Sequence, residues 1–174
     1  VENATAAIQA ALLLDVNAGA IKQALGAFAG VKRRFEYIVK NKAHIYIDDY
    51  AHHPEELKAA ISSVKKLYPG KKLTTIFQPH LYTRTRDFAD GFAEALDRCD
   101  ELLLLDIYPA RELPIEGVDA DMILSRMKLW NKRKCGKQEC LDIVRFEKPE
   151  LLLTVGAGDI DQLVQPLKNI LEHV

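Results

Sequence analysis

Cysteine is scarce in this chain: three among 174 residues, at Cys99, Cys135 and Cys140. Their number is odd and no two stand at Cys-x-x-Cys spacing. A zinc site takes about four ligands at tighter spacing, and a secreted disulfide framework takes an even set. Reduced thiols in a cytoplasmic protein are the expectation. A run of about 18 apolar residues is also missing, so no membrane span is expected. Neither sign of charge dominates, with 24 basic residues against 25 acidic ones and a formal net charge of −1. No global field then draws nucleic acid or an anionic membrane, and any anion must be held by local geometry. Nucleophile and phosphate-loop motifs are missing too: there is no GxSxG, no Cys placed beside a His and no GxxxxGK[ST]. If the chain handles a nucleotide, the loop gripping its phosphates lies elsewhere. Val1 in place of an initiating Met fits a piece of something longer.

What is present is an ordinary globular composition, 48% hydrophobic and 28% charged. Its length can bury a core without disulfides or metals. Helical spacing of apolar residues predicts helices over 4–14 and 18–28, with Gly30 ending the second. After Gly30 the rhythm changes. Strands over 35–40 and 44–47, joined at Asn41-Lys42, predict a hairpin. Further strands are expected over 73–77, 102–107 and 151–155. Further helices are expected over 55–67, 87–98, 120–127, 137–144 and 159–173. Several strands are continuously apolar, as when both faces are covered. The expected class is α/β: a three-layer Rossmann-like domain, with a mostly parallel sheet, helices on both faces, an N-terminal antiparallel hairpin and two short helices ahead of it.

Ligands of such sheets bind at the carboxyl ends of the strands. Four strands there leave Asp48-Asp49-Tyr50-Ala51-His52-His53, then Gln78 to Arg86, then Tyr108-Pro109-Ala110-Arg111-Glu112, then Gly156-Ala157-Gly158-Asp159. Each loop alone is as readily polar for solubility as for function, but together they suggest one rim. Gly156 to Gly158 leads into a helix, where free N–H groups suit an anion, and a plain tight turn reads equally well. Arg84 and Arg86 can grip carboxylate or phosphate at two points, or form a solvated pair. Asp49 can accept from sugar hydroxyls or serve as a turn acid. His52 and His53 point opposite ways in extended backbone, which argues against a shared metal. One of them is expected to pack or cap and the other to face the rim. His44 and His173 read as surface residues, and His80 fits either role.

The segments KRRFE (32–36), IDDYAHHPEE (47–56), FQPHLYTRTRDF (77–88), DIYPARELPIEG (106–117) and VGAGDID (155–161) occur in this order. Together they resemble the C-terminal domain of the Mur ligase family, in the branch that joins L-alanine to UDP-N-acetylmuramate. VENATAA (1–7) resembles the end of that family's central domain. The resemblance implies residues 1–29 as the helical tail of a central ATPase domain and 30–174 as the C-terminal domain. It implies ATP-dependent amide formation through an acyl phosphate in peptidoglycan synthesis, with ATP and magnesium as cofactors. The metal is then held mainly by the missing central domain, and the partners are UDP-N-acetylmuramate, L-alanine and the absent domains. It places Arg34 and Asp49 on the nucleotide. It places Tyr50, His52 and Arg84 near the alanine end, with Gly156 and Gly158 in a turn on the same rim. No catalytic residue and no metal ligand is expected in this chain by itself.

Leu81 departs from the family, which often has Arg there. Residues 130–146, with Lys132-Arg133-Lys134, read as a variable surface strand and helix. Three other readings stand beside the first: a murein-peptide recycling ligase with a similar Asp-Asp-aromatic-Ala-His-His-Pro segment, a non-catalytic module binding a nucleotide or small acid, and a hydrolase using His52 with Asp49. The missing nucleophile argues against the hydrolase.

Overall fold

The computed structural model describes residues 2–172. Two compact units divide at Val31 and Lys32. The first holds α1 (Glu2–Leu13) and α2 (Ala18–Ala27). Asn17 starts α2 by accepting the Gly19 N–H on its side chain at 2.7 Å. Ile8, Ala11, Ile21, Leu25 and Phe28 line an apolar groove of about 400 Å³. None of α2 is buried. The expected apolar faces are there, but this unit closes no core over them.

The second unit carries β1 (Glu36–Lys40), β2 (Ile45–Asp49), α3 (Pro54–Leu67), β3 (Leu73–Phe77), α4 (Tyr82–Leu96), β4 (Glu101–Leu104), α5 (Asp121–Leu124), β5 (Lys132–Lys134), α6 (Lys137–Glu147), β6 (Leu151–Val155), a 3-10 turn (Asp159–Leu163) and α7 (Val164–Glu172). The sheet order is β1-β2-β6-β3-β4-β5. Only β1 runs antiparallel to its neighbour. The fold class read from the sequence is therefore the one observed.

Two apolar layers enclose the sheet. On one face Leu57, Ile61, Phe92, Leu96 and Ile123, from α3, α4 and α5, pack on Ile47, Phe77, Leu102 and Leu153. On the other, Cys140, Val144, Leu163, Leu167 and Leu171 pack on Tyr46, Ile76, Leu103 and Leu152. Alternate strand residues thus go to opposite layers, which explains the unbroken apolar runs. Each fully buried Leu or Ile contributes about 1.5–3 kcal/mol of transfer free energy.

Several boundaries differ from expectation, each for a tertiary reason. Helix α4 begins at Tyr82, five residues before the expected Asp87, because a remote carboxylate caps it: Glu112 accepts the Thr83 N–H at 3.0 Å and its hydroxyl at 2.5 Å. A kink at Phe88 (φ −121°, ψ 18°) separates this polar first part from the apolar remainder. The expected fourth strand stops at Leu104, because the chain peels away to a single bridge between His80 and Tyr108. Helix α5 is only four residues long. The last helix opens with a 3-10 turn, and its expected end at 173 lies outside the described residues. His44 is a correction: it is 5% exposed, with Nδ1 against the Pro149 carbonyl at 2.9 Å, because β2 is an interior strand and the α6–β6 connection covers its start. His173 also lies outside the described residues. Residues 130–146 do form an edge strand and a helix, and Trp130 and Phe146 are exposed, but Cys135, Cys140 and Val144 are buried.

Candidate functional site

Strand register sets the rim. Asp49 pairs with Val155, Val155 with Phe77, and Phe77 with Leu104. Four strands thus end at one level, and their loops leave together. Backbone bonds stitch the loops: Gly156 N–H to the Asp49 carbonyl at 3.3 Å, Gln78 N–H to Val155 at 3.1 Å, and Tyr108 N–H to Pro79 at 2.8 Å.

The turn after β6 admits little but glycine. Gly156 has φ +146°, and a Cβ there would stand 2.9 Å from the Gln78 carbonyl oxygen. A Cβ on Gly158 would meet Gln78 Oε1 at 2.4 Å and Tyr108 Cβ at 2.6 Å. Gln78 fills the space: its Oε1 accepts the Ile160 N–H at 2.9 Å and its Nε2 donates to Asp159 at 2.8 Å. The glycines therefore let two loops close on each other.

Asp49 is first a backbone organiser. Its Oδ1 accepts the Ala51 N–H at 2.8 Å and its Oδ2 the Phe35 N–H at 2.7 Å. Those bonds tie the KRRFE segment to the end of β2. Each oxygen keeps a further acceptor site for a ligand. Arg34 is exposed on that segment.

Its neighbour Arg33, which the sequence did not single out, is built into the rim. Nε donates to Asp48 at 3.0 Å and Nη2 to the Gly156 carbonyl at 2.7 Å. The guanidinium lies 5.2 Å from the centroid of the Tyr50 ring. Asp48 is fully buried, and burial pushes its carboxyl pKa up against the opposing pull of Thr154 and Arg33. Thr154 donates to it at 2.5 Å. Beside this network lies a cavity of about 450 Å³, lined by Lys32, Arg33, Glu36, Tyr37, Asp48 and Lys168 among others.

His52, His80 and Arg84 form the other part of the site. His52 Nδ1 lies 2.9 Å from the Tyr50 carbonyl, so it donates and leaves Nε2 free. The His52 and His80 rings meet edge-on at 6.2 Å, and His80 stacks on Tyr108 at 5.7 Å. Burial, then the charges of Arg84 and His52, lower the His80 pKa. Among the described residues, His80 Nδ1 and Arg84 Nη1 are buried without a hydrogen-bond partner. An unpaired guanidinium N–H beside a partly buried imidazole suits an incoming carboxylate or phosphate. Helix α4 supplies Arg84 only because Glu112 starts the helix early. His53 turns away: its ring packs on Phe88 at 4.7 Å, and Glu56 accepts the N–H groups of His52 and His53 at the start of α3. Arg86 pairs with its neighbour Asp87 at the surface.

This order of segments, on this sheet, has relatives. Residues 33–158 match the family model described as Mur ligase, glutamate ligase domain. The chain belongs to the Mur ligase family. A UDP-N-acetylmuramate–L-alanine ligase of Cytophaga hutchinsonii is 51% identical over 99% of this chain, which covers 37% of that relative. One of Parabacteroides distasonis is 53% identical over 98%, again covering 37%. The chain thus spans little more than a third of the curated relatives it matches. The crystal structure of a UDP-N-acetylmuramate-alanine ligase from Thermotoga maritima superposes with a TM-score of 0.75 at 27% identity, over 96% of this chain and 36% of that one. A murein peptide ligase of Psychrobacter arcticus shares the fold, with a TM-score of 0.68 at 19% identity over 88% of this chain and 33% of that one.

Within this Mur ligase domain, Leu81 stands at φ +72° as the N-cap of α4, a strained conformation for a branched side chain. Its N–H donates to the Tyr108 carbonyl at 2.9 Å. The strained residue sits between His80 and Arg84, two of the side chains with a buried, unpartnered polar atom. No helix of the described residues is long and apolar enough to cross a membrane, and none of their His, Cys, Asp and Glu residues cluster as a metal site.

Proposed function

We propose that this chain is the C-terminal part of an ATP-dependent ligase that joins L-alanine to UDP-N-acetylmuramate through an acyl phosphate, in the cytoplasmic stage of peptidoglycan synthesis. The observation that carries the reading is the buried, unpartnered pair His80 Nδ1 and Arg84 Nη1. It stands on the rim of a domain whose relatives bear the name UDP-N-acetylmuramate–L-alanine ligase. Arg84 takes the amino-acid carboxylate by charge-assisted hydrogen bonds, and Tyr50 and His52 border the same end. Arg34 and Asp49 face the nucleotide, with Asp49 accepting from the ribose through the acceptor sites its backbone bonds leave open. Gly156 and Gly158 border the substrate on the same rim, where they let its loops pack closely.

Bound ATP and magnesium supply the phosphoryl group and neutralise its charge. The residues of this chain bind, orient and exclude water, which would hydrolyse an acyl phosphate. The loop that grips phosphate is absent from the sequence, so this chain alone is expected to be inactive. In this reading residues 1–29 are the helical end of the central ATPase domain, and residues 30–174 are the C-terminal domain.

Phosphate release from ATP by the full-length protein, measured with UDP-N-acetylmuramate and with or without L-alanine, tests the proposal. Alanine-dependent release supports it. Release with a tripeptide and not with alanine would move the assignment to a recycling ligase.

A further inference from the structure

Cys135 follows the last residue of β5, and Cys140 lies on the first turn of α6. Cys135 N–H donates to the Leu104 carbonyl at 3.0 Å, and Cys140 N–H to Gly136 at 2.9 Å. This strand-to-helix turn returns both side chains to one place, with the two Sγ atoms 2.9 Å apart. Both residues are buried, at 4% and 0% exposure. Cys135 also lines a cavity of about 330 Å³ at the rim, with Gln78, Tyr108, Gly136, Lys137 and Asp159. A molecule the size of hydrogen peroxide fits that space.

The two thiols are not equivalent. Either sulfur can donate in the bond between them; with Cys140 as the donor, the bond lowers the Cys135 pKa, while the same bond and burial raise that of Cys140. The N-terminus of α6 adds positive potential at the same point. Cys99 is a control within the molecule. It is buried, its thiol donates to the Leu96 carbonyl at 3.0 Å, and burial pushes its pKa up to about 12.

We propose that Cys135 and Cys140 form a reversible oxidation site for small hydroperoxides, with Cys135 the attacking thiol and Cys140 the resolving one. The Cys135 thiolate attacks the peroxide and displaces hydroxide or alkoxide, giving a sulfenic acid. The Cys140 sulfur then attacks the Cys135 sulfur, and water leaves with the sulfenic oxygen and the Cys140 proton. Two thiols are oxidised and one peroxide bond is reduced. The bridge clamps the start of α6 to the end of β5. Lys137 lies within the bridged loop and holds Asp159 of the glycine turn at 2.5 Å, so the clamp bears on the rim. This inference does not depend on the ligase reading.

The test treats the reduced 174-residue chain with stoichiometric hydrogen peroxide, alkylates the remaining thiols, and maps peptides by mass spectrometry while circular dichroism reports folding. The expected product has lost two hydrogens, links 135 to 140, leaves Cys99 alkylated and reverts with dithiothreitol. Cys135 is expected to react roughly tenfold faster than Cys99, as the more thiolate-like sulfur. Cys140→Ser should halt Cys135 at a sulfenic acid that dimedone captures, and Cys99→Ser should behave as the parent chain. Full alkylation of Cys135 and Cys140 in the folded, peroxide-treated parent chain would overturn the proposal. So would Cys135 reacting no faster than Cys99.

Discussion

Arg33 Nη2 donates to the Gly156 carbonyl at 2.7 Å, joining residues 123 positions apart. The same side chain neutralises buried Asp48. Its removal leaves a buried carboxylate without its charge partner. Arg33→Ala should cost about 3 kcal/mol in urea unfolding of the second unit. Arg33→Lys should recover part of that, since an ammonium can meet Asp48 or Gly156 but has no planar fork for both. Wild-type stability in the Ala variant would show the bridge to be energetically idle.

Gly158→Ala should be destabilising by about 1–3 kcal/mol, because the new methyl would overlap the side chains of Gln78 and Tyr108. Thermal unfolding checks this. An unchanged midpoint would mean that the two loops are not packed against each other as described.

His80 should titrate below the ordinary imidazole range, since burial and the Arg84 charge both favour its neutral form. Arg84→Ala removes the second cause and should shift the titration upward, as read from imidazole NMR signals against pH. The sign for stability follows. A histidine with a depressed folded pKa costs stability as pH falls below its unfolded value, and the cost should shrink in the Arg84 variant.

Glu101, on the opposite end of the sheet, behaves in the reverse sense. Burial would raise its pKa, but hydrogen bonds from Lys72 and Thr74 and from Arg133 outweigh that and hold it down. Its contribution is complete above the ordinary Glu value and is lost as pH falls through the lowered one. Glu101→Gln should therefore cost about 1–3 kcal/mol near neutral pH and progressively less in acid. Urea midpoints of both proteins across pH give the comparison, and a constant difference would count against it.

On the ligase reading proposed above, Arg84→Ala in the full-length protein should raise the KM for alanine about tenfold or more, the loss of a charge-assisted bond, with a smaller change for ATP. Steady-state kinetics with an unchanged alanine KM would remove Arg84 from the carboxylate site. Asp49→Ala is a less clean probe of the ribose, because it also strips two backbone N–H groups of their acceptor.

Much of the candidate site was legible because its residues come in short segments at strand ends. Asp49, Tyr50, His52 and Arg84 were singled out as candidates that way. Arg33 was not, because in KRRFE nothing local tells a partly buried, paired arginine from an exposed one. His80 stayed open for a similar reason: its role depends on Tyr108 and Arg84, which reach it from the loop after β4 and from α4. Helix α4 was placed too late because Thr83-Arg84-Thr85-Arg86 has no apolar period, and its cap, Glu112, comes from another loop.

The sequence by itself determined the alternation of strands and helices, the parallel sheet and the set of polar loops, since all of these follow from local periodicity. Strand order was a different matter. The insertion of β6 between β2 and β3 brought Gly156 beside Asp49 and Gln78, and a one-dimensional pattern carries no record of that neighbour. Only the tertiary structure decided which of two adjacent arginines is tucked into the rim, which polar atoms are buried without a partner and which two thiols touch. Each of these depends on burial and on pairing across long sequence separations, and burial is a property of the packed sheet, not of the residue.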